Sequence, residues 1–228
     1  MILKGARNLN STPGLNLVLQ TFFGLPKHIV SFYEADNSGI AAAPIPGTNV
    51  PHHYRINHLR FSAAQKYLNG PHLNGMTKRF VELLGDQIAK NDDIREDWAE
   101  YPNLTDFLQK EIFRAATSSL CGPYILSLNP NFIDDFWEYI GDIPVLYKGL
   151  PRWWNPKAHK ARDRCLAAIT KWHLHAWDHI EHSKDDDSVA WEPYFGARIM
   201  RTRYTYAKGM AATSDESRAA EDLAMIFA

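Results

Sequence analysis

The chain has 228 residues, of which 45% are hydrophobic and 22% charged, so it can bury a core and has the composition of a soluble globular protein. Its formal net charge of −1 excludes the basic excess that a nucleic-acid partner requires. The two cysteines, Cys121 and Cys165, cannot form a disulfide framework and indicate a reducing, intracellular compartment. The sequence has no apolar run approaching the roughly 18 residues of a membrane anchor, and its N-terminus lacks signal-peptide features.

The first quarter of the chain is weakly patterned. Residues 15–23 could form a short helix or strand and residues 27–33 a short helix, but three prolines in residues 41–51 indicate an extended loop. We therefore predict an irregular N-terminal part over residues 1–50. Two helices are predicted next, over Tyr54–Leu68 and Leu73–Lys90, because apolar residues recur there every three or four positions. Asn69-Gly70-Pro71 separates them.

Two consecutive helices with clear end signals are predicted between residues 103 and 150. Asn103 is placed to cap the first helix, and Gly122 followed by Pro123 ends it, because glycine tolerates the left-handed cap and proline cannot continue a helix. The second helix is predicted to begin at Asn129-Pro130, an N-cap followed by proline at the first helical position. Its apolar face is rich in aromatic residues. These two helices are expected to carry the core.

Three further helices complete a mainly α pattern without a sizeable sheet. A long one is predicted from Asn155-Pro156 to about His182, a basic one over Arg198–Lys208, and a last one over residues 214–228. Thr213 and Glu216 have the spacing of a capping box for the last helix. That helix becomes increasingly apolar and has no stop signal, which indicates a chain truncated relative to its fold. No linker divides the chain, so residues 1–228 are predicted to form a single partial domain.

The segment from Phe107 to His173, beginning FLQKEIFRAATSSLCGPYILSLNPNF, resembles the middle of a fungal cytochrome P450. The flanking stretches GLPKHIVSFYEADNSG, WEPYFGARIMRTR and EDLAMIFA are similar to that family too. The resemblance is to the branch that contains the oxysterol and prostacyclin-type enzymes. It implies a partial P450 fold, roughly helices B to the start of I. Residues 51–213 would supply helices C to H, and residues 214–228 the beginning of the helix that crosses the haem.

The resemblance implies an oxidoreductase, a haem-dependent monooxygenase. The intact relative would hydroxylate an apolar substrate, such as a sterol, lipid or terpenoid, with O₂ and electrons from an NADPH-cytochrome reductase. It would associate with the endoplasmic reticulum membrane, whereas this chain has no anchor. The alternative is a non-catalytic helical binding or interaction protein derived from that fold.

The haem ligand of the family does not occur in this chain. It is a cysteine in a Phe-x-x-Gly-x-x-x-Cys-x-Gly loop, whose thiolate holds the iron. Thr117 stands where that loop requires glycine before Cys121, and Cys165 lies inside a helical repeat. Both cysteines are interpreted as small buried residues. We therefore expect the 228-residue chain to bind haem poorly and to be inactive by itself, with no catalytic residue of its own.

The resemblance also suggests where cofactor and substrate would lie. His58 and Lys66 of the predicted helix C are candidate partners of the haem propionates, because a buried carboxylate needs a charged partner. Ordinary surface charge is an equally good interpretation of both. Four residues are candidates for the substrate pocket: Phe132, Phe136, Met225 and Ala228. For the two phenylalanines, core packing is the commoner role.

Two other patterns have structural interpretations that we prefer. His175, His179 and His182 share one face of the long helix and could bind zinc, but a solvated helix end explains them as well. Glu111 and Arg114 match the Glu-x-x-Arg motif of the family in the wrong helix, so we predict a surface ion pair.

Overall fold

A computed structural model describes residues 12–92, 94, 98, 100–180 and 189–228. Its helices are α1 (Thr12–Thr21), α2 (Lys27–Ala35), α3 (Ile56–Tyr67), α4 (Gly70–Ala89), α5 (Leu104–Cys121), α6 (Tyr124–Leu128), α7 (Phe132–Leu146), α8 (Pro156–His179), α9 (Arg198–Lys208) and α10 (Asp215–Phe227). A 3-10 turn covers His52–Tyr54, and strands β1 (Trp191–Glu192) and β2 (Gly196–Ala197) form a small antiparallel hairpin. The predicted mainly α fold without a sizeable sheet is confirmed.

Local end signals define several helices as predicted. The Asn103 side chain accepts a hydrogen bond from the backbone N–H of Asp106 at 3.1 Å, which caps α5. Asn155 does the same for α8 through the N–H of Ala158 at 3.4 Å. Gly122 ends α5 with a φ of +78°, a conformation that glycine adopts without the cost a side chain would add.

The short helices considered for residues 15–23 and 27–33 are present as α1 and α2. Two other predictions of local structure were wrong. Helix α7 begins at Phe132, and Asn129 does not cap it; its side chain donates instead to the carbonyls of Ile125 and Ala168. The capping box of α10 is formed by Ser214 and Ser217.

The Thr213–Glu216 pair does not form the box because Thr213 is engaged in the preceding turn. Its hydroxyl donates to the carbonyl oxygens of Ala207 and Met210. The hydroxyls of Ser214 and Ser217 are one position further along and accept each other's backbone N–H groups at 3.2 and 2.9 Å. The cap is therefore shifted by one residue from the position predicted.

Helix α8 lies at the centre of the core. It packs against α6, α7 and α10, and its fully buried face carries Ala161, Cys165, Ile169, Trp172 and Ala176. The indole N–H of Trp172 donates to the Tyr194 carbonyl at 2.7 Å, so the largest side chain of this face also has its polar atom satisfied. Small residues between the large ones let the neighbouring helices approach closely.

The β1–β2 hairpin sits directly on the end of α5. A Cβ atom on Gly196 would lie 2.3 Å from the backbone nitrogen of Gly122, and one on Gly122 would lie 2.3 Å from the Pro193 carbonyl oxygen. Both positions also have positive φ. Both positions therefore require glycine, because the backbone conformation disfavours other residues and because a Cβ atom would not fit.

Candidate functional site

A cleft of about 490 Å³ lies between the loop of residues 36–45, α3 and α10. We call it the arginine cleft; it is lined by Leu15, Asp36, Asn37, Gly39, Ile40, Ile45, Asn57, Arg60, Phe61, Ala64, Arg203 and Met225. Apolar side chains thus surround two guanidinium groups. Such a combination suits an apolar molecule that carries a negatively charged group.

The two guanidinium groups are held by a buried carboxylate of α10. Glu221, 6% exposed, lies 3.5 Å from Nε of Arg60 and 3.3 Å from Nη2 of Arg203. It also accepts the hydroxyl of Tyr33 from α2. Burial and the neighbouring Glu221 charge raise the pKa of Tyr33 well above its ordinary value, so this phenol remains a donor.

The next residue of α10 makes a second set of buried contacts. Asp222 accepts from Nε of Arg203 and lies close to Nε2 of His173 of α8, both at 2.9 Å. Burial alone would raise the pKa of the Asp222 carboxyl, but Arg203 and His173 outweigh burial and hold that pKa below its ordinary value. We call the six residues Tyr33, Arg60, His173, Arg203, Glu221 and Asp222 the α10 network.

Sequence reasoning missed the α10 network. One signal was available, because Glu221 and Asp222 interrupt the apolar run of Ala219, Ala220 and Leu223 in the last helix. Charged residues within an apolar helical run must be paired when that run is buried. The sequence gives no way to identify Arg203 or His173 as their partners.

The basic residues of α3, and Arg55 just before it, have different environments. Arg55, 2% exposed, donates to the carbonyls of Ala41 and Ala42 at 2.6 and 2.7 Å. His58, 9% exposed, has Nδ1 2.8 Å from the Ile40 carbonyl. These two residues therefore fix the loop that walls the arginine cleft. Lys66 lies on the exposed side of α3, with its ammonium 5.0 Å from the centre of the Tyr67 ring.

The four candidate pocket residues fall into two groups. Met225 and Ala228 together line an apolar groove of about 300 Å³ against α4 and α5, and Met225 also reaches the arginine cleft. Phe132 and Phe136 lie in the core, where Phe136 stacks on Phe113 with ring centres 4.3 Å apart. The structure therefore brings Met225 and Ala228 together and places the two phenylalanines elsewhere.

Neither cysteine is arranged as a metal ligand in this chain. Cys121 and Cys165 are free, and neither side chain is exposed. Burial raises the pKa of both thiols, so they stay protonated, whereas a haem ligand must be a thiolate. The two thiols therefore do not suit the axial ligation of a haem, and Arg60 and Arg203, the charged groups that could meet its carboxylates, are both paired with Glu221.

The histidine pattern of α8 is only partly within the described residues. The rings of His175 and His179 lie 4.1 Å apart, and Nδ1 of His179 donates to the His175 carbonyl. His182 lies outside the described residues. Among the described residues, no group of three potential metal ligands comes together.

Glu111 and Arg114 form the predicted ion pair at 3.9 Å.

No helix among the residues that the structure describes is long and apolar enough to cross a membrane.

The mainly helical fold without a sizeable sheet agrees with the partial P450 fold that the sequence resemblance implies. Comparison with known proteins confirms the relationship: the chain is related to the fungal cytochrome P450 monooxygenases. It is 33% identical over 168 residues to cytochrome P450 monooxygenase efuG of Hormonema carpetanum and 33% identical over 175 residues to fsoE of Humicola fuscoatra. It is 30% identical over 193 residues to calL of Penicillium decumbens.

These matches cover 73%, 76% and 84% of this chain, but 30%, 30% and 36% of the respective relatives. The chain therefore spans about a third of the length of the curated relatives that it matches. No protein-family model and no solved structure matches it.

Proposed function

We propose that this chain forms one wall of the active site of a haem-dependent monooxygenase that hydroxylates an apolar substrate. Electrons would come from a reductase, and O₂ would supply the oxygen atom. The observation that carries the proposal is the arginine cleft, where an apolar rim surrounds the half-buried guanidinium of Arg60 and the buried guanidinium of Arg203. Haem iron supplies the oxygen chemistry when bound, and the protein supplies binding, orientation and charge.

The residues of the cleft divide these tasks. Arg60 is the best-placed partner for a haem propionate, because it lines the cleft and its side chain is 16% exposed. Arg203 is more deeply buried and shared between Glu221 and Asp222, so it positions the wall. His58 and Lys66 remain predictions for the propionate role; His58 already binds the Ile40 carbonyl.

The apolar rim is the proposed contact for substrate. Ile45, Phe61 and Met225 line the cleft and present hydrocarbon surface that would exclude water from an apolar molecule. Ala228 and the groove next to Met225 extend that surface on the other side of α10. Phe132 and Phe136 would act through core packing. The sterol, lipid or terpenoid class predicted from the sequence fits such walls.

A non-catalytic binding protein is the less favoured function. The groove beside Ala228 could hold a partner helix, but all three relatives are named monooxygenases.

Two proteins test the haem proposal. The purified 228-residue chain, mixed with haem and reduced under carbon monoxide, is expected to give no thiolate-type difference spectrum, because Cys121 and Cys165 are buried and protonated. A chimera, in which this chain replaces the matching third of the Hormonema carpetanum relative, is expected to give that spectrum.

Arg60→Gln in the same chimera tests the role of the cleft. Loss of one charged partner is expected to weaken haem retention about tenfold. The matched control is Arg164→Gln, at a surface arginine paired with Asp135 and Glu138. A thiolate spectrum from the isolated chain, or a chimera that folds but never retains haem, would contradict the proposal.

We also propose that the connector between α7 and α8 contacts a membrane surface. Tyr147, Trp153 and Trp154 are 71%, 75% and 65% exposed, and Lys148 and Arg152 lie between them. Trp and Tyr favour the interface between lipid and water, and basic residues are attracted to anionic headgroups. This connector would associate with the membrane without crossing it.

Replacing Trp153 and Trp154 with serine is expected to lower binding to vesicles of phosphatidylcholine and phosphatidylserine at least about tenfold, since each indole contributes apolar contact at the interface. Sedimentation with vesicles measures this loss. Trp98→Ser is the control, because Trp98 is fully exposed at another place in the chain. Equal losses in both variants, or no loss in the double variant, would contradict a specific contact.

A further inference from the structure

A second cavity lies away from the arginine cleft and is used by nothing described so far. It has a volume of about 260 Å³ and lies between the first half of α4, β1 and the start of α9. His72, Lys78 and Arg79 line it from α4, Trp191 from β1 and Arg198 from α9. We call it the Trp191 cavity. Its size suits a small ligand.

The guanidinium of Arg79 lies over an aromatic ring in this cavity. Its central carbon lies 3.2 Å from the centre of the Trp191 ring. The indole N–H of Trp191 donates to the Ser119 carbonyl at 2.9 Å, which fixes the ring that supports the guanidinium. Stacking of this kind leaves the N–H groups of arginine in the plane of the guanidinium and available to an acceptor.

Arg79 lacks such an acceptor among the described residues. Its Nε is buried and has no hydrogen-bond partner there, and its guanidinium forms no ion pair with a described carboxylate. The nearby Glu82 lies 3.9 Å from Lys78 on the α4 surface, and both side chains are more than half exposed. A charged group without an acceptor is costly to bury, so a ligand oxygen that reaches the half-buried guanidinium would stabilise it.

The charge of the wall agrees with that requirement. Lys78 and Arg79 line the cavity from α4, together with Glu82, whose carboxylate pairs with Lys78. His72 adds an imidazole whose ring packs edge-on against Tyr67, with centres 5.1 Å apart. Among the described α4 residues that line the cavity, one positive charge is therefore left over on a concave surface, where the field of a charge is concentrated.

We propose that the Trp191 cavity binds a phosphate-type oxyanion, either free phosphate or the phosphate group of a small organic molecule. Arg79 would supply in-plane N–H donors, and Lys78 would supply a point charge at the mouth. Phosphate suits the site because it offers several acceptor oxygens to donors that converge from α4. This function is separate from oxygen chemistry and does not depend on the arginine cleft.

Isothermal titration of the 228-residue chain with inorganic phosphate and with phenyl phosphate, at constant ionic strength set by chloride, tests the proposal. Saturable binding of at least one probe is expected, and Arg79→Gln is expected to weaken it roughly tenfold or more. Lys78→Gln, at an exposed position, should weaken it about threefold and provides a second variant in case Arg79→Gln does not fold. Arg164→Gln is the control and should leave the affinity unchanged.

Tighter binding of phenyl phosphate would identify an organic phosphate as the natural ligand, and equal binding would identify the free anion. The proposal is overturned if neither probe gives saturable heat at millimolar concentration. It is also overturned if folded Arg79→Gln binds as the parent chain does, or if Arg164→Gln weakens binding as much as the cavity variants.

Discussion

An Arg203→Met variant is expected to lose roughly 3–5 kcal/mol of unfolding free energy, the usual cost of removing one partner from a buried ion pair. Arg203 is 7% exposed and faces both Glu221 and Asp222, so its loss would leave two adjacent buried carboxylates with too little positive charge. Methionine is similar in length to the arginine stem, which limits the contribution of a cavity.

Urea unfolding followed by circular dichroism measures this loss. The triple variant Arg203→Met/Glu221→Gln/Asp222→Asn is the matched control, because it removes the acids together with their partner and should recover part of the stability. Arg164→Met, at an exposed ion pair, should cost less than about 1 kcal/mol. A loss below about 1 kcal/mol in Arg203→Met would show that the α10 network does not hold the helices together.

The same network gives the stability a defined pH dependence. Arg203 and His173 hold the pKa of Asp222 below its ordinary value, so the folded state binds a proton there less readily than the unfolded state. The associated stability is fully present above the unfolded pKa of about 4 and is lost as the pH falls through the lower folded pKa. The urea concentration at the unfolding midpoint of the parent chain should therefore decrease as the pH is lowered below about 4. The Asp222→Asn variant should show a smaller decrease.

A Gly196→Ala variant is expected to lose roughly 2–5 kcal/mol, the sum of a left-handed backbone penalty and the strain of an overfilled contact. The new Cβ would lie 2.3 Å from the Gly122 nitrogen and 2.4 Å from the Leu120 carbonyl oxygen. Both atoms belong to backbone at the end of α5, which cannot move without disturbing the core. The hairpin would have to separate from α5.

Gly47→Ala separates the two causes. Gly47 has a φ of +87° but nothing within 4 Å of an added Cβ, so it should show the backbone penalty alone, about 1–2 kcal/mol. Thermal unfolding of both variants measures the difference. Equal losses at the two positions would mean that the hairpin does not press on α5.

Helix ends were predictable from the sequence where the cap depends on neighbouring residues alone. Asn103 and Asn155 each cap through an N–H three positions ahead, so a short stretch of sequence contains the whole interaction. Asn129 was misassigned because its side chain is oriented by donating to the carbonyl oxygens of Ile125 and Ala168, and Ala168 is 39 residues away. No local pattern can show such competition.

The candidate site was predicted less completely for the same physical reason. Met225 was a candidate for the substrate pocket because of the family resemblance, and it lines the arginine cleft. The partners of Glu221 are Tyr33, Arg60 and Arg203, which are far apart in the chain. Which charges meet in a core depends on helix packing, and helix packing is not a property of one segment.

The two acids of α10 have a consequence for the orientation of that helix. Successive residues of an α-helix are separated by about 100° around its axis, so a turn of that size would remove Glu221 and Asp222 from their partners together. Contacts from α2, α3, α8 and α9 thus fix the rotational setting of α10. Met225 lies three and four positions further, on the same side of the helix. The ion pairs of Glu221 and Asp222, one helical turn away, therefore determine that Met225 faces the arginine cleft.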